Sequence, residues 1–198
     1  MKIKISGKKE HENNREYVYR VLRDNIMTLK LLPGATVNEG ELAELFHISR
    51  TPVHEAVLIL KEESLIDVYP QSGSRISYIQ IDILKEGYFM RSVLEPGILR
   101  MLGGSLSSGR LEPLRENLGQ QKKALEKKGE DRIDLFFKLD DEFHHRIYEL
   151  AGKKNTWYAV KKVSTHYDRV RYLDAIMNHR ELEKIYEEHR TIFDILLS

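Results

Sequence analysis

Two helix starts, at Asn38 and Ser49, stand so close together that the chain between them has room for one short helix and a tight turn. Asn38 followed by Glu41 has capping-box spacing, and Leu42, Leu45 and Phe46 then recur at helical steps. Ser49-Arg50-Thr51-Pro52-Val53-His54-Glu55-Ala56, running into Val57-Leu58-Ile59-Leu60, reads as a second start. The Ser49 or Thr51 hydroxyl is placed to accept from the orphan amides, and Pro52 is tolerated because it falls within the first turn. His47-Ile48 joins the two, so the pair is expected to form a helix-turn-helix. Backbone N–H groups at the second start, with Arg50 beside them, suit an anion such as phosphate.

The flanks extend this unit. Val18, Val21, Leu22, Ile26 and Leu29 fall at three- and four-residue steps, giving an amphipathic helix that stops at Leu31-Leu32-Pro33-Gly34. After the two short helices, Ile66 to Tyr69 and Arg75 to Ser77 read as short strands around Pro70-Gln71-Ser72-Gly73. The expected fold of residues 11–78 is a winged helix-turn-helix, preceded by a flexible tail over residues 1–10.

Leu32-Pro33-Gly34, Leu42-Ala43, Ser49 to Ala56 and a wing glycine at Gly73 together resemble the GntR family of bacterial transcription regulators. The resemblance implies double-stranded DNA as partner, met by Ser49, Arg50, Thr51, Pro52, His54 and Gly73. Two positions depart from the family pattern: His54 stands where arginine is usual, and Gly40 where a basic residue is frequent. Each departure takes a permanent cation from the face expected to meet DNA.

Charge agrees that no large basic field drives binding. Residues 1–78 carry 11 Lys or Arg against 11 Asp or Glu, and the remainder carries 21 against 20. Specific contacts must therefore supply more of the affinity than bulk charge, and a winged helix serving as a protein docking module is the competing use of the same fold. With 41% hydrophobic and 32% charged residues in 198, the chain can bury a core and has no run of membrane-spanning length. The start Met1-Lys2-Ile3-Lys4-Ile5 lacks the apolar stretch of a secretion signal, so a cytoplasmic location is expected. Cysteine is absent, which excludes disulfides, thiol nucleophiles and cysteine metal sites.

Residues 79–198 change character, to long helical stretches near 81–102, 108–127, 131–151, 155–177 and 180–197, separated by Gly103-Gly104, Lys128-Gly129, Gly152-Lys153-Lys154 and Asn178-His179. No strand alternation competes, so an all-α bundle is expected there. Around the helix holding Asp140 and His144, Phe136, Phe143, Ile147 and Leu150 make one apolar arc, and Asp140 and His144 continue its edge. His145 falls on the opposite side. His189 lies within the stripe of Leu182, Ile185, Ile192, Phe193 and Leu196.

A carboxylate and a histidine at i, i+4, with a histidine from another helix, suit a divalent cation such as zinc, nickel or manganese. A buried Asp140–His144 hydrogen bond is the alternative use of the same pair. His166, at the edge of its own helix's arc, is either a further ligand or a histidine bonded to a neighbour. Arg91 faces inward with Leu84, Glu95, Ile98 and Leu102, either paired with Glu95 or awaiting an anion.

Leu139 to His144, with Ala151-Gly152 and Asn155, resembles the helical FCD ligand-binding domain of the FadR branch of that family. The resemblance implies metal ligation by Asp140, His144 and the His189 of Glu188-His189, and places Arg91 of Arg91-x-x-x-Glu95 at the effector pocket. The family's fourth ligand, a histidine, would fall some twenty residues past His189, beyond Ser198, so either the chain is truncated, with the last helix of the domain missing, or the site is incomplete. The expected function is a DNA-binding regulator, a repressor and homodimer on a two-fold operator. A small carboxylate bridging the metal and Arg91 would control its affinity. A metal-only sensor and a metal-dependent hydrolase are the alternatives.

Overall fold

The computed structural model describes residues 3–69, 72–103, 106–178 and 180–197. Pro70, Gln71, Gly104 and His179, which belong to the expected turns and breaks, lie outside them. The chain divides into two compact units. One runs to Leu84 and takes in Thr165–Val170; the other comprises Lys85–Ser164 and Arg171–Ser198.

The first unit is a winged helix-turn-helix. Helix α1 (Asn14–Met27) is opened by a capping box in which Asn13 and Glu16 each accept from the other's backbone N–H, and it buries Val18, Val21, Leu22 and Ile26. It ends two residues before the expected Leu29, which sits in left-handed backbone at φ 54°. The Leu31 N–H returns to the Asn25 carbonyl and closes the turn there. A strand of two residues, β1 (Thr36–Val37), then precedes α2 (Glu39–Phe46) and α3 (Arg50–Glu62).

Asn38 caps α2 by accepting from the Gly40 and Glu41 amides; Glu41 answers through the Asn38 side chain rather than its backbone. Leu42, Phe46, Val53, Ala56, Val57 and Leu60 fill the core, whereas Leu45, expected among them, points outward, because a two-turn helix offers its neighbours a single stripe. His47 takes left-handed backbone to end α2, and its N–H bonds to α2 carbonyls. That makes the tight turn between the helices.

Strands β2 (Ile66–Tyr69) and β3 (Gly73–Ile76) form the wing, with β3 central in the order β1-β3-β2 and both pairings antiparallel. The second wing strand begins at Gly73 rather than Arg75, because the glycine, at φ 83°, lets the chain reverse directly into the ladder. Ser77, expected within that strand, instead gives its hydroxyl to the Ser64 carbonyl.

Thr165–Val170 completes this unit. Thr165 donates its hydroxyl to the Glu63 carbonyl at 3.1 Å, and Arg169 donates to the Ser77 carbonyl at 2.9 Å. His166 accepts the Gln80 N–H at Nδ1 and donates from Nε2 to the Ser64 carbonyl.

The second unit is all-α: α4 (Ile81–Leu102, its first four residues counted with the first unit), α5 (Ser108–Leu125), α6 (Glu130–Leu150), α7 (Lys154–Val163), α8 (Thr165–Met177, its first six residues counted with the first unit) and α9 (Glu181–Leu197). The stretch expected as one helix over 155–177 is thus two. Ser164 closes α7 on the Val160 carbonyl, and the chain restarts at Thr165, where the tertiary bonds just described redirect it. Helix α5 packs against α6 and α9. Phe143, Ile147, Tyr148, Trp157 and Phe193 lie in one core cluster and Phe136, Leu139, Leu182 and Ile185 in another. Truncating a fully buried ring such as Phe143 to alanine costs about 3–5 kcal/mol. No helix among the described residues is long and apolar enough to cross a membrane.

Candidate functional site

The helix-turn-helix end is the first candidate. Ser49 has the extended backbone of an N-cap, but among the described residues its hydroxyl makes no capping bond, contrary to expectation. Pro52, third in α3, has no N–H to satisfy. The start of α3 therefore keeps backbone donors outward, with Ser49, Arg50, Thr51 and His54 all exposed and Pro52 half-buried. Arg50 and His54, one turn apart, share a face. The Arg50 guanidinium lies over Gly40: a Cβ there would stand 3.3 Å from Nη2. His54 Nδ1 is 3.0 Å from Oε1 and 3.1 Å from Oε2 of Glu39. The two departures from the family pattern are therefore neighbours, since both exposed α3 side chains lie beside α2's first turn, His54 on Glu39 and Arg50 over Gly40. Gly73 is exposed at the wing turn.

The second candidate lies inside the helical unit. Asp140, His144 and His189 are buried, and one ligand atom from each lies within 4.8 Å of the others. Asp140 and His144 come together because they share one face of α6; His189 arrives from α9, which, like α6, packs on α5. Asp140 Oδ1 is 3.4 Å from His189 Nε2 and 4.0 Å from His144 Nε2, so the alternative Asp140–His144 hydrogen bond is not formed. A fork from Arg171 holds the carboxylate instead, with Nη2 to Oδ1 at 2.8 Å and Nη1 to Oδ2 at 3.1 Å.

Burial works against a charged Asp140, but Arg171, aided by the His189 contact, overrides it and holds the carboxyl well below the usual carboxylate range. Burial, then repulsion from Arg91, keeps His144 well below the usual histidine range, so its ring is neutral with a lone pair to give. Arg91 donates to Glu95 at 2.7 Å, and Glu95 Oε1 is 3.6 Å from His144 Nδ1. A proton on Nδ1 facing Glu95 leaves Nε2 turned to Asp140.

The arrangement fits a divalent cation. One carboxylate and two imidazoles are a suitable donor set, and a carboxylate has lone pairs for both Arg171 and a metal. Outer partners fix the donors: His189 Nδ1 is 2.8 Å from Gln121 Oε1, Gln121 donates to Asn117 at 2.7 Å, and Asn117 donates to the Leu139 carbonyl at 3.1 Å. That chain turns His189 Nε2 toward Asp140, as a hydrogen-bond acceptor on the far nitrogen of a metal-ligating histidine does. His166 belongs to the other unit and has both nitrogens engaged, which is the neighbour-bonded reading, not the ligand one.

Sequence reasoning missed Arg171, Gln121 and Asn117. The signal for two of them was present: Asn117 and Gln121 interrupt the stripe Leu111, Leu114, Leu118 and Ala124 at helical spacing, and all are buried. Tyr148, also missed, is buried with its hydroxyl unpartnered among the described residues.

Comparison with known proteins finds two family matches along the chain. Residues 14–76 match the family described as "Bacterial regulatory proteins, gntR family", and residues 86–198 match the FCD domain. A Streptomyces ambofaciens protein, "Uncharacterized HTH-type transcriptional regulator in unstable DNA locus", is 36% identical over 91% of this chain and 74% of its own length. The "HTH-type transcriptional repressor RspR" of Escherichia coli K12 is 32% identical over 91% of this chain and 78% of its own. Among solved structures, E. coli McbR/YncC superposes with a TM-score of 0.76 at 23% identity, covering 93% of this chain and 86% of that one, which is a likeness of fold. These relatives are transcriptional regulators rather than enzymes. The chain belongs to the gntR family of bacterial regulatory proteins: it is a DNA-binding transcriptional regulator with an FCD domain after its winged helix-turn-helix.

Proposed function

We propose that this regulator is a repressor, bound as a homodimer to a two-fold operator, and that a divalent cation and a small carboxylate in the helical unit set its operator affinity. The observation carrying the proposal is the convergence of Asp140, His144 and His189 on one buried point, with the outer bonds of Gln121 and the neutral His144 expected of a ligand set. Asp140, His144 and His189 would hold zinc, nickel or manganese, which supplies a Lewis-acidic position for a carboxylate oxygen. Arg91 would take the other end of the carboxylate, its guanidinium matching that group's geometry.

At the DNA-facing end, Arg50 and His54 would meet base edges, while Ser49, Thr51, the amides of the first turn of α3 and the wing at Gly73 would meet phosphates; Pro52 shapes the turn. Repression is supported by the repressor among the relatives. Switching requires that the effector favour one of two arrangements of the dimer, with the segment around Ile76 to Asp82 as the connection. A cytoplasmic location goes with this role.

The engagement of Arg91 by Glu95 favours a second reading, in which the cation alone is the signal, because the guanidinium already has its anion. Thermal melts of chelator-treated and metal-loaded protein against a panel of small carboxylates separate the two. A carboxylate that raises the melting temperature only in loaded protein, and not in Arg91→Leu, supports the metabolite sensor. A metal shift with no carboxylate response supports the cation sensor, and no response to metal overturns both.

A further inference from the structure

The charge lost at Gly40 and His54 leaves unexplained what the α3 face reads instead, and the Glu39–His54 contact answers it. We propose that Glu39 and His54 form one base-reading unit that presents an acceptor to the major groove and therefore selects adenine or cytosine, rather than guanine or thymine, at one position of each half-site. The proposal rests on the reading of the exposed α3 face as the DNA-contacting face.

What the ring can offer is set at His54 Nδ1. It lies 3.0 and 3.1 Å from the two Glu39 oxygens, and a carboxylate accepts but does not donate. Nδ1 must therefore carry the hydrogen. In the neutral ring the other nitrogen, Nε2, is then an acceptor, and the side chain stays 57% exposed to offer it. Glu39 is well placed to fix this tautomer: it is the first residue of α2, where the helix dipole favours a negative charge, and Asn38 caps that turn.

In the major groove the exocyclic amines of adenine and cytosine are donors, while guanine N7 and O6 and thymine O4 are acceptors. An acceptor at Nε2 bonds the first pair and opposes the second. Arginine, five donors and no acceptor, has the reverse preference. Arg50 keeps the donor role one turn away, and Gly40 gives its guanidinium the space to lie there. The side chains at 50 and 54 thus read opposite chemistries; Glu39 fixes the one at 54, and Gly40 leaves room for the one at 50.

The test is selection of the full chain on a randomised duplex library at one salt concentration and pH 8, followed by anisotropy titrations on the enriched motif, for the natural protein, Glu39→Gln and His54→Arg. Both substitutions keep a polar side chain in place, at half-buried Glu39 and at exposed His54. The position in question is the one at which the natural and His54→Arg motifs differ. The natural protein is expected to favour adenine or cytosine there by about tenfold, and His54→Arg to turn the preference to guanine. Glu39→Gln, whose amide can accept or donate, is expected to bring the ratio towards one while retaining the rest of the motif.

Guanine at that position in the natural protein, identical motifs for the natural protein and His54→Arg, or an unchanged ratio in Glu39→Gln overturns the base-reading unit and leaves the α3 face as DNA-binding. A library from which no motif is enriched overturns the α3 face reading itself, and the unit with it.

Discussion

Replacing Arg171 with methionine separates what the guanidinium does from what a cation would do. The Asp140 carboxylate is fully buried and takes two bonds from Arg171, at 2.8 and 3.1 Å; the Arg171 side chain is itself only 16% exposed. Methionine keeps most of the aliphatic stem, so the loss is chiefly electrostatic. Breaking a buried pair from one side costs about 3–5 kcal/mol. The nearby His189 softens the loss, which puts the expectation at about 3 kcal/mol, read as a fall of roughly 1–2 M in the urea midpoint of the helical unit for chelator-treated protein. A divalent cation supplied at about a thousand times its dissociation constant returns about 4 kcal/mol. In the natural protein the cation must share the carboxylate with Arg171 and gains less, so the two midpoints should approach each other in metal. An undiminished gap between the two proteins with metal present would refute the assignment of Asp140 as a ligand.

Gln121→Leu strands the His189 Nδ1 proton and the Asn117 amide oxygen, each at about 1–3 kcal/mol, and should lower metal affinity by about 10- to 100-fold in a chelator competition. Arg50→Ala should weaken operator binding by about 1–3 kcal/mol if the side chain meets a guanine edge, and an unchanged anisotropy titration rejects that contact. Burial, followed by Arg169, lowers the His166 pKa, and burial, followed by Arg91, lowers that of His144. An unfolded chain binds those protons near pH 6.5. Stability is therefore full above that pH and is lost as the pH falls through it, by at most about 1.4 kcal/mol per pH unit for each group. His166→Gln, able to accept from Gln80 and donate to Ser64, should flatten the fall in melting temperature between pH 7.5 and 5.5; an unchanged slope removes His166 as a source.

What could be read from the sequence follows the range of the interactions. The helix starts at Asn38 and Ser49, the apolar stripe of α1 and the inward turn of Asp140, His144 and His189 are set by local sequence and helical spacing, which the sequence displays directly, although Ser49 makes no side-chain capping bond. The division of residues 155–177 at Ser164 was not legible, because no glycine or proline marks it and Glu63 lies about a hundred residues away. The role of Arg171 was hidden for the same reason: its partner is on another helix. Strand β1, two residues long, is too short to carry an alternation. The pairing of Glu39 with His54 crosses from α2 to α3, so residue types alone showed a missing cation but not what had taken its place.

In the proposed function, the regulatory step is control of the DNA-facing end by the buried donor set. Its most direct measurement is the ratio of operator dissociation constants for metal-loaded and chelator-treated protein at one salt concentration, in the natural chain and in His144→Ala, on the motif enriched by the natural chain. Coupling of the usual size gives a ratio between about 5 and 150 in the natural chain and a ratio near one in the variant. Equal affinities in the loaded and stripped natural protein, or a full ratio surviving in His144→Ala, would contradict it.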